Sequence, residues 1–188
     1  NGNYWKQEKA VSGINQKYVN PSIAVDSQGG VFVAWTDALA IYLNSSLDNG
    51  NSWGKEKKIS ENQINALQET SPSIAISQLG IHVAWPQYYN LSDSTGIEIF
   101  YAESTDRGAT WKDAIKVNTI EEGNFPVNGF PAIAANGDAV HVAWQSKDAG
   151  ASLNQIFSSR LSSKVCSSKN DCGTDGFLNK PFCSESLG

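Results

Sequence analysis

Residues Ser46 to Trp53 read SLDNGNSW, and the same frame returns as STDRGATW from Ser104 to Trp111. In both, Ser, Asp, Gly and Trp keep their relative places while the residues between them are largely changed. Such a pair can be a catalytic site, a ligand-binding loop or a copied structural turn. The sequence around it decides.

Three segments align on either side of the octapeptides: PSIAVDSQGGVFVAW from Pro21, PSIAISQLGIHVAW from Pro72 and PAIAANGDAVHVAW from Pro131. Their prolines lie 51 and 59 residues apart (72 minus 21, 131 minus 72). A further β-type run follows each one: IYLNSS from Ile41, IEIFYAES from Ile97 and QIFSSR from Gln155. Alternating apolar residues, β-branched and aromatic enrichment and Gly/Asn/Asp punctuation mark strands, and no helical period interrupts them before Cys166. VFVAW and HVAW are near-continuous apolar runs, the pattern of strands covered on both faces. Each unit therefore predicts four short antiparallel strands: PSIAV, VFVAW, IYLNS and a run from the octapeptide Trp to the next Ile. Four strands repeated every 50 to 60 residues match a β-propeller blade. The fold class expected is all-β, an incomplete ring of blades followed by a short Cys-rich tail.

The opening NGNYWKQEKAVS, Asn1 to Ser12, aligns without a gap to NGNSWGKEKKIS, Asn49 to Ser60. It predicts an orphan outer strand over 1–12, then blades over 13–60 and 61–118, a partial blade over 119–163 and a Cys-rich segment over 164–188. Read this way, the chain is an excerpt or a partial ring. A ring completed by a second copy, a homodimer, is the alternative.

The octapeptide resembles the Asp-box, or bacterial neuraminidase repeat, of sialidase-like propellers. Its Ser-x-Asp-x-Gly-x-x-Trp pattern is carried by Ser46, Asp48, Gly50 and Trp53 and by Ser104, Asp106, Gly108 and Trp111. Asn1 to Trp5 resembles the tail of a third copy, so the likeness covers roughly residues 1–160. The resemblance implies a hairpin between the third and fourth strands of a blade, on the face away from any active site. A short Asp side chain there accepts hydrogen bonds from the amides just after it, and Gly takes positive φ at no steric cost. The Trp returns to pack between sheets, burying about 150–250 Å². On this reading Asp48 and Asp106 are structural, not catalytic.

Composition limits the partners. The 188 residues are 40% hydrophobic and 18% charged, with a net charge of -5. That composition is globular and leaves no basic footprint for nucleic acid. No apolar run approaches the ~20 residues of a spanning helix. Cys166, Cys172 and Cys183 all fall in the last 23 residues, predicting disulfide pairing in an oxidising, extracellular or cell-surface compartment. Their Cys-x5-Cys-x10-Cys spacing is not that of a zinc site, and no metal or cofactor is expected.

Function on such a scaffold belongs to the inter-blade loops and the loops between second and third strands, where the repeats differ most. Those segments, 12–20, 60–71, 118–130, 36–40, 86–96 and 145–154, carry Asp37, Glu69, Asp93, Glu121, Glu122 and Asp148. They also carry Tyr18, Tyr88, Tyr89, Phe125 and Phe130. Tyr88 and Tyr89 near Asp93, with Asp37 and Asp148, form the expected ligand-binding set for a glycan or protein. Trp35, Trp85 and Trp144 close the second strand of each unit and are read as shared core, and His82 and His141 as strand residues. A sialidase needs three arginines for the substrate carboxylate, a geometry lysine does not reproduce. This chain has two, Arg107 and Arg160, and no Arg-Ile-Pro. The expectation is a non-catalytic glycan- or protein-binding module. The alternatives are an exo-α-sialidase-type glycoside hydrolase with its arginines outside this chain, and a scaffold for assembly or sorting.

Overall fold

A computed structural model describes residues 4–13, 18–37, 39–60, 71–91, 94–118, 127–147 and 153–162. Asp93, Asp148, Glu69, Glu121, Glu122, Phe125 and all three cysteines lie outside these residues, as does the 164–188 segment.

Every regular element among the described residues is a strand. The first sheet holds β1 (Val19–Val25), β2 (Val31–Thr36), β3 (Ile41–Ser46) and β4 (Lys57–Lys58), paired in that order. The second holds β5 (Ser73–Ser77), β6 (Gly80–Leu91), β7 (Ser94–Ser104) and β8 (Ile115–Lys116). In the third, β9 (Val127–Asn136), β10 (Ala139–Lys147) and β11 (Gln155–Arg160) pair in sequence. Pairing within each sheet is antiparallel. One parallel bridge, Ile97 to Val127, joins the second sheet to the third.

The first strands line up, β1 against β5 and β5 against β9, so the sheets stand in a row with their faces together. Among the described residues the row does not close into a ring.

The core lies between the sheets, and strand alternation builds it. Along β6, Ile81, Val83 and Trp85 meet Phe32, Ile41 and Leu43 of the first sheet. Ala84, between them in sequence, meets Val142 and Trp144 of the third. A strand whose side chains alternate between two covered faces reads as a near-continuous apolar run, which is why IHVAW is interrupted only by the buried His82. Trp85 is fully buried and Phe32 is 1% exposed. Burying an aliphatic or Phe side chain of this size contributes about 1.5–3 kcal/mol.

At the ends of the row the same alternation leaves apolar side chains uncovered. Ile23 and Val25 on β1 are 63% and 61% exposed, and Ile156 on β11 is 75% exposed.

Several segments differ from their sequence reading. Residues 4–13 form no strand, and Trp5 is 99% exposed. Their backbone has no ladder partner, and they are held by side chains: Asn44 Nδ2 donates to Val11 O at 2.8 Å, and Gly13 N to Glu56 Oε2 at 3.0 Å. The fourth strands shrink to two residues each, because Ser60 Oγ and Asn118 Oδ1 take up the N–H groups of Ile41 and Ile99 at 2.9 and 2.8 Å. The segment read as a loop over 86–96 is largely strand. The β6–β7 register continues from Trp85 opposite Phe100 to Leu91 opposite Ser94, forming a two-stranded arm.

Candidate functional site

The two ends of the first sheet carry different turns. Register places Val31 opposite Ser46 and Thr36 opposite Ile41, so the Ser46–Trp53 turn and the Asp37 turn lie at opposite ends of the first sheet.

At the octapeptide end, the two turns share one hydrogen-bond pattern. Asp48 Oδ1 accepts from Ser46 Oγ at 2.7 Å and from Ser52 N at 2.8 Å, and Oδ2 accepts from Ser52 Oγ at 2.6 Å. Asp106 repeats this with Ser104 Oγ at 2.8 Å, Thr110 N at 2.8 Å and Thr110 Oγ1 at 2.6 Å. Gly50 N and Gly108 N each donate to the preceding Ser Oγ at 2.8 Å. Gly50 and Gly108 have φ of 80° and 84°, and Asn49 and Arg107 before them have 57° and 58°. The Ser52 and Thr110 bonds lead the interactions that hold both carboxyls down at about 2. Each carboxylate is thus committed to its own turn. Trp53 and Trp111 are partly buried, and Trp111 packs against the core between the first two sheets.

At the opposite end, aromatic rings and carboxylates meet on the first sheet. Trp35 is the penultimate residue of β2, and its cross-strand partner on β3 is Tyr42, whose ring stacks on it at 6.4 Å. Tyr18 meets both edge-on, at 5.7 and 5.9 Å. The two phenols donate outward: Tyr42 to Asp37 Oδ2 at 3.0 Å and Tyr18 to Glu56 Oε1 at 2.8 Å. Asp37 Oδ1 also accepts from Leu39 N and Ala40 N, at 2.9 and 2.8 Å, which fixes its turn. Burial and the Asp37 bond push Tyr42 up to about 12, and the Glu56 bond raises Tyr18. Both phenols remain protonated donors at neutral pH, leaving the carboxylates as acceptors with free lone pairs. Asp37 was legible as a loop carboxylate, and Tyr18 as a loop aromatic.

Tyr42 and Glu56 escaped the sequence reading. A signal was present, since the partners of Trp85 and Trp144 are Phe100 and Phe157, stacked at 6.4 and 6.1 Å. Only the first unit places a hydroxyl there.

Tyr88 and Tyr89 stand in the β6–β7 arm, opposite Ile97 and Gly96. The arm rises from the second sheet at the same end as Asp37, beyond the Trp85–Phe100 pair. Trp35, Trp85 and Trp144 are 3%, 0% and 7% exposed and belong to the core. Their burial removes them as open stacking platforms. Asn44 is 5% exposed and its amide donates to Val11 O and Gly54 O at 2.8 and 3.0 Å, a structural task.

The histidines part company: His141 is exposed, whereas His82 is fully buried. His82 Nε2 lies 2.9 Å from Ser77 Oγ and Nδ1 lies 2.8 Å from Tyr101 OH, which donates to Glu103 Oε2 at 2.7 Å. Lys112 pairs with Glu103 at the outer end. Among the described residues, no group of three or more His, Cys, Asp or Glu could hold a metal, and no helix is long and apolar enough to cross a membrane.

No family model matches the chain, and no curated protein matches it. Among solved structures it is similar to a glycoside hydrolase, 11% identical with a TM-score of 0.42 over 74% of this chain and 51% of that one. It is also similar to the alpha-L-arabinofuranosidase PaAbf62A from Podospora anserina in complex with cellotriose. That match is 12% identical, with a TM-score of 0.45, over 77% of this chain and 54% of the other. The chain spans about half the length of these structures. Likeness at this level leaves function to be argued from the site.

Proposed function

We propose that the chain is a carbohydrate-binding module built on sialidase-like Asp-box blades, extracellular or at the cell surface. The observation that carries the reading is the Asp37–Tyr42–Trp35–Tyr18–Glu56 cluster. Sugars are bound by carboxylate acceptors that take hydroxyl hydrogens and by aromatic surface that meets their C–H faces. The part-exposed Tyr18 and Tyr42 rings and the Asp37 and Glu56 carboxylates offer both, on elements held by cross-strand pairing. Kinship with the Asp-box propellers is supported by the matching bond patterns of the Ser46 and Ser104 turns. A binding role is favoured over hydrolysis because Arg107 is engaged elsewhere, with Asp26 at 2.7 Å beside the octapeptide end.

The test is a glycan array on the full chain, followed by titration calorimetry on Asp37→Ala and Tyr42→Phe. Tyr42→Phe keeps the stack on Trp35 and removes only the donor to Asp37. Affinity reduced roughly tenfold or more in both folded variants supports the reading. An array with no bound glycan, or unchanged affinity in both variants, overturns it.

A further inference from the structure

Beside the cluster lies a recess of about 190 Å³ lined by Val11, Tyr18, Val19, Pro21, Val33 and Trp35, with the Ser12 hydroxyl as its polar side chain besides the Tyr18 phenol and the Trp35 indole. Trp35, one of the lining residues, carries a buried indole N–H that has no hydrogen-bond partner among the described residues. Its counterparts are satisfied: Trp85 Nε1 donates to Gln87 Oε1 at 3.3 Å, and Trp144 Nε1 to Asn128 Oδ1 at 3.1 Å. Asp37 occupies the place of Gln87 in the repeat, but it is turned to Leu39 N, Ala40 N and Tyr42 OH. The Trp111 indole also lacks a partner among the described residues, yet it does not border this recess. A buried donor without an acceptor is costly and marks a place where an incoming acceptor gains most.

We propose that this recess is a subsite for the acetamido group of a neutral 2-acetamido sugar. The proposal rests on the carbohydrate reading and names the sugar class. An acetamido group combines an amide carbonyl, a strong neutral acceptor for the Trp35 N–H, with a methyl group suited to the valine and proline walls. The Asp37 and Glu56 carboxylates beside the aromatic cluster disfavour an acceptor that carries negative charge, which selects against sialic and uronic acids. A plain hydroxyl sugar supplies no methyl group for the apolar walls.

The experiment follows the indole N–H resonances of the ¹⁵N-labelled full chain during titration with N-acetylglucosamine and its β-1,4-linked dimer. Glucose, glucuronic acid and N-acetylneuraminic acid are the comparison probes. The Trp35 signal is assigned by its loss in Trp35→Phe, which keeps an aromatic ring and removes the donor. The expected result is a saturable shift of that one resonance with the acetamido sugars alone. Trp35→Phe weakens their binding roughly five- to tenfold, the effect of losing one neutral hydrogen bond. Should Trp35→Phe not fold, the shift in the wild-type chain decides alone, with assignment by sequential NMR. An equal response to glucose, or a stronger one to the acidic sugars, overturns the subsite while leaving the carbohydrate reading in place. An unmoved Trp35 resonance under saturating acetamido sugar also overturns it. A glycan array with no bound sugar removes the reading and the subsite together.

Discussion

Ser22 Oγ accepts the backbone N–H of Ile74 at 3.3 Å, and the bond is copied one unit later, where Ser73 Oγ accepts from Ile133 N at 3.2 Å. The serine of one Pro-Ser-Ile-Ala segment is thus tied to the isoleucine of the next. A first strand has its ladder partner on one side only, so these hydroxyls satisfy amides that face the neighbouring sheet. The third unit has Ala132 at this place and offers no such acceptor.

Ser22→Ala and Ser73→Ala each remove one such tie. Each is expected to cost about 0.5–1.5 kcal/mol, and the double variant the sum, because the bonds share no partner. Urea unfolding of the four chains checks this. A double variant as stable as wild type would dissolve the role given to the serines.

Asp48→Ala and Asp106→Ala strip the acceptors from Ser52 and Thr110 and leave the donors facing solvent. Both variants should melt at lower temperature with glycan affinity unchanged, since the turns sit at the end of the sheet away from Asp37. Both carboxyls lie at about 2 in the fold against an ordinary 3.8. Their contribution is therefore present above about 4 and lost as pH falls towards 2. Thermal melts across that range should show the wild-type chain losing more stability than either alanine variant. Parallel curves would refute the assignment.

Gly80 and Gly137 make a controlled pair. Gly80 has φ of 143°, and a Cβ there would come within 2.1 Å of Ser104 O, a backbone atom that cannot step aside. Gly137 has φ of 59° with open space around it. Gly137→Ala should cost about 1–2 kcal/mol from the left-handed backbone alone. Gly80→Ala should cost clearly more, or prevent folding. Equal costs measured by denaturant unfolding would contradict the described β5–β6 turn.

His82 gives the fold its sensitivity near neutral pH. Burial lowers its value from 6.5, with the Glu103 carboxylate opposing and the Lys112 ammonium reinforcing. The unfolded chain therefore takes up the proton first as pH falls, and folding is penalised. The contribution is fully present above about 6.5 and declines as pH drops through the lower folded value. Glu103 acts further down: burial raises it, but the Lys112 and Tyr101 bonds prevail and hold it below 4.5. Melting curves between pH 7.5 and 5.5 should show stability falling, and His82→Gln should flatten that slope. His82→Gln should also cost about 1–3 kcal/mol at pH 7.5, from the altered partners of Ser77 and Tyr101. An unchanged slope would place the titration elsewhere.

The sequence by itself determined the strands and their repetition, because each depends on neighbours a few residues away. Alternation along Val31–Thr36, the serine–aspartate–glycine turns and the aligned Pro-Ser-Ile-Ala segments all act over that range. The buried tryptophans were legible too, since a large aromatic at the same strand place in three units points to a core position. The tertiary structure alone decided which strand ends carry the polar chemistry. Tyr42 and Glu56 lie 14 residues apart (56 minus 42) and are brought together through Tyr18, which contacts both across the sheet. It also decided the fate of equivalent residues: His82 is locked in a hydrogen-bond chain, whereas His141 faces outward. The physical reason is that pairing and turns follow local spacing, whereas burial and partner choice follow what the next sheet in the row brings.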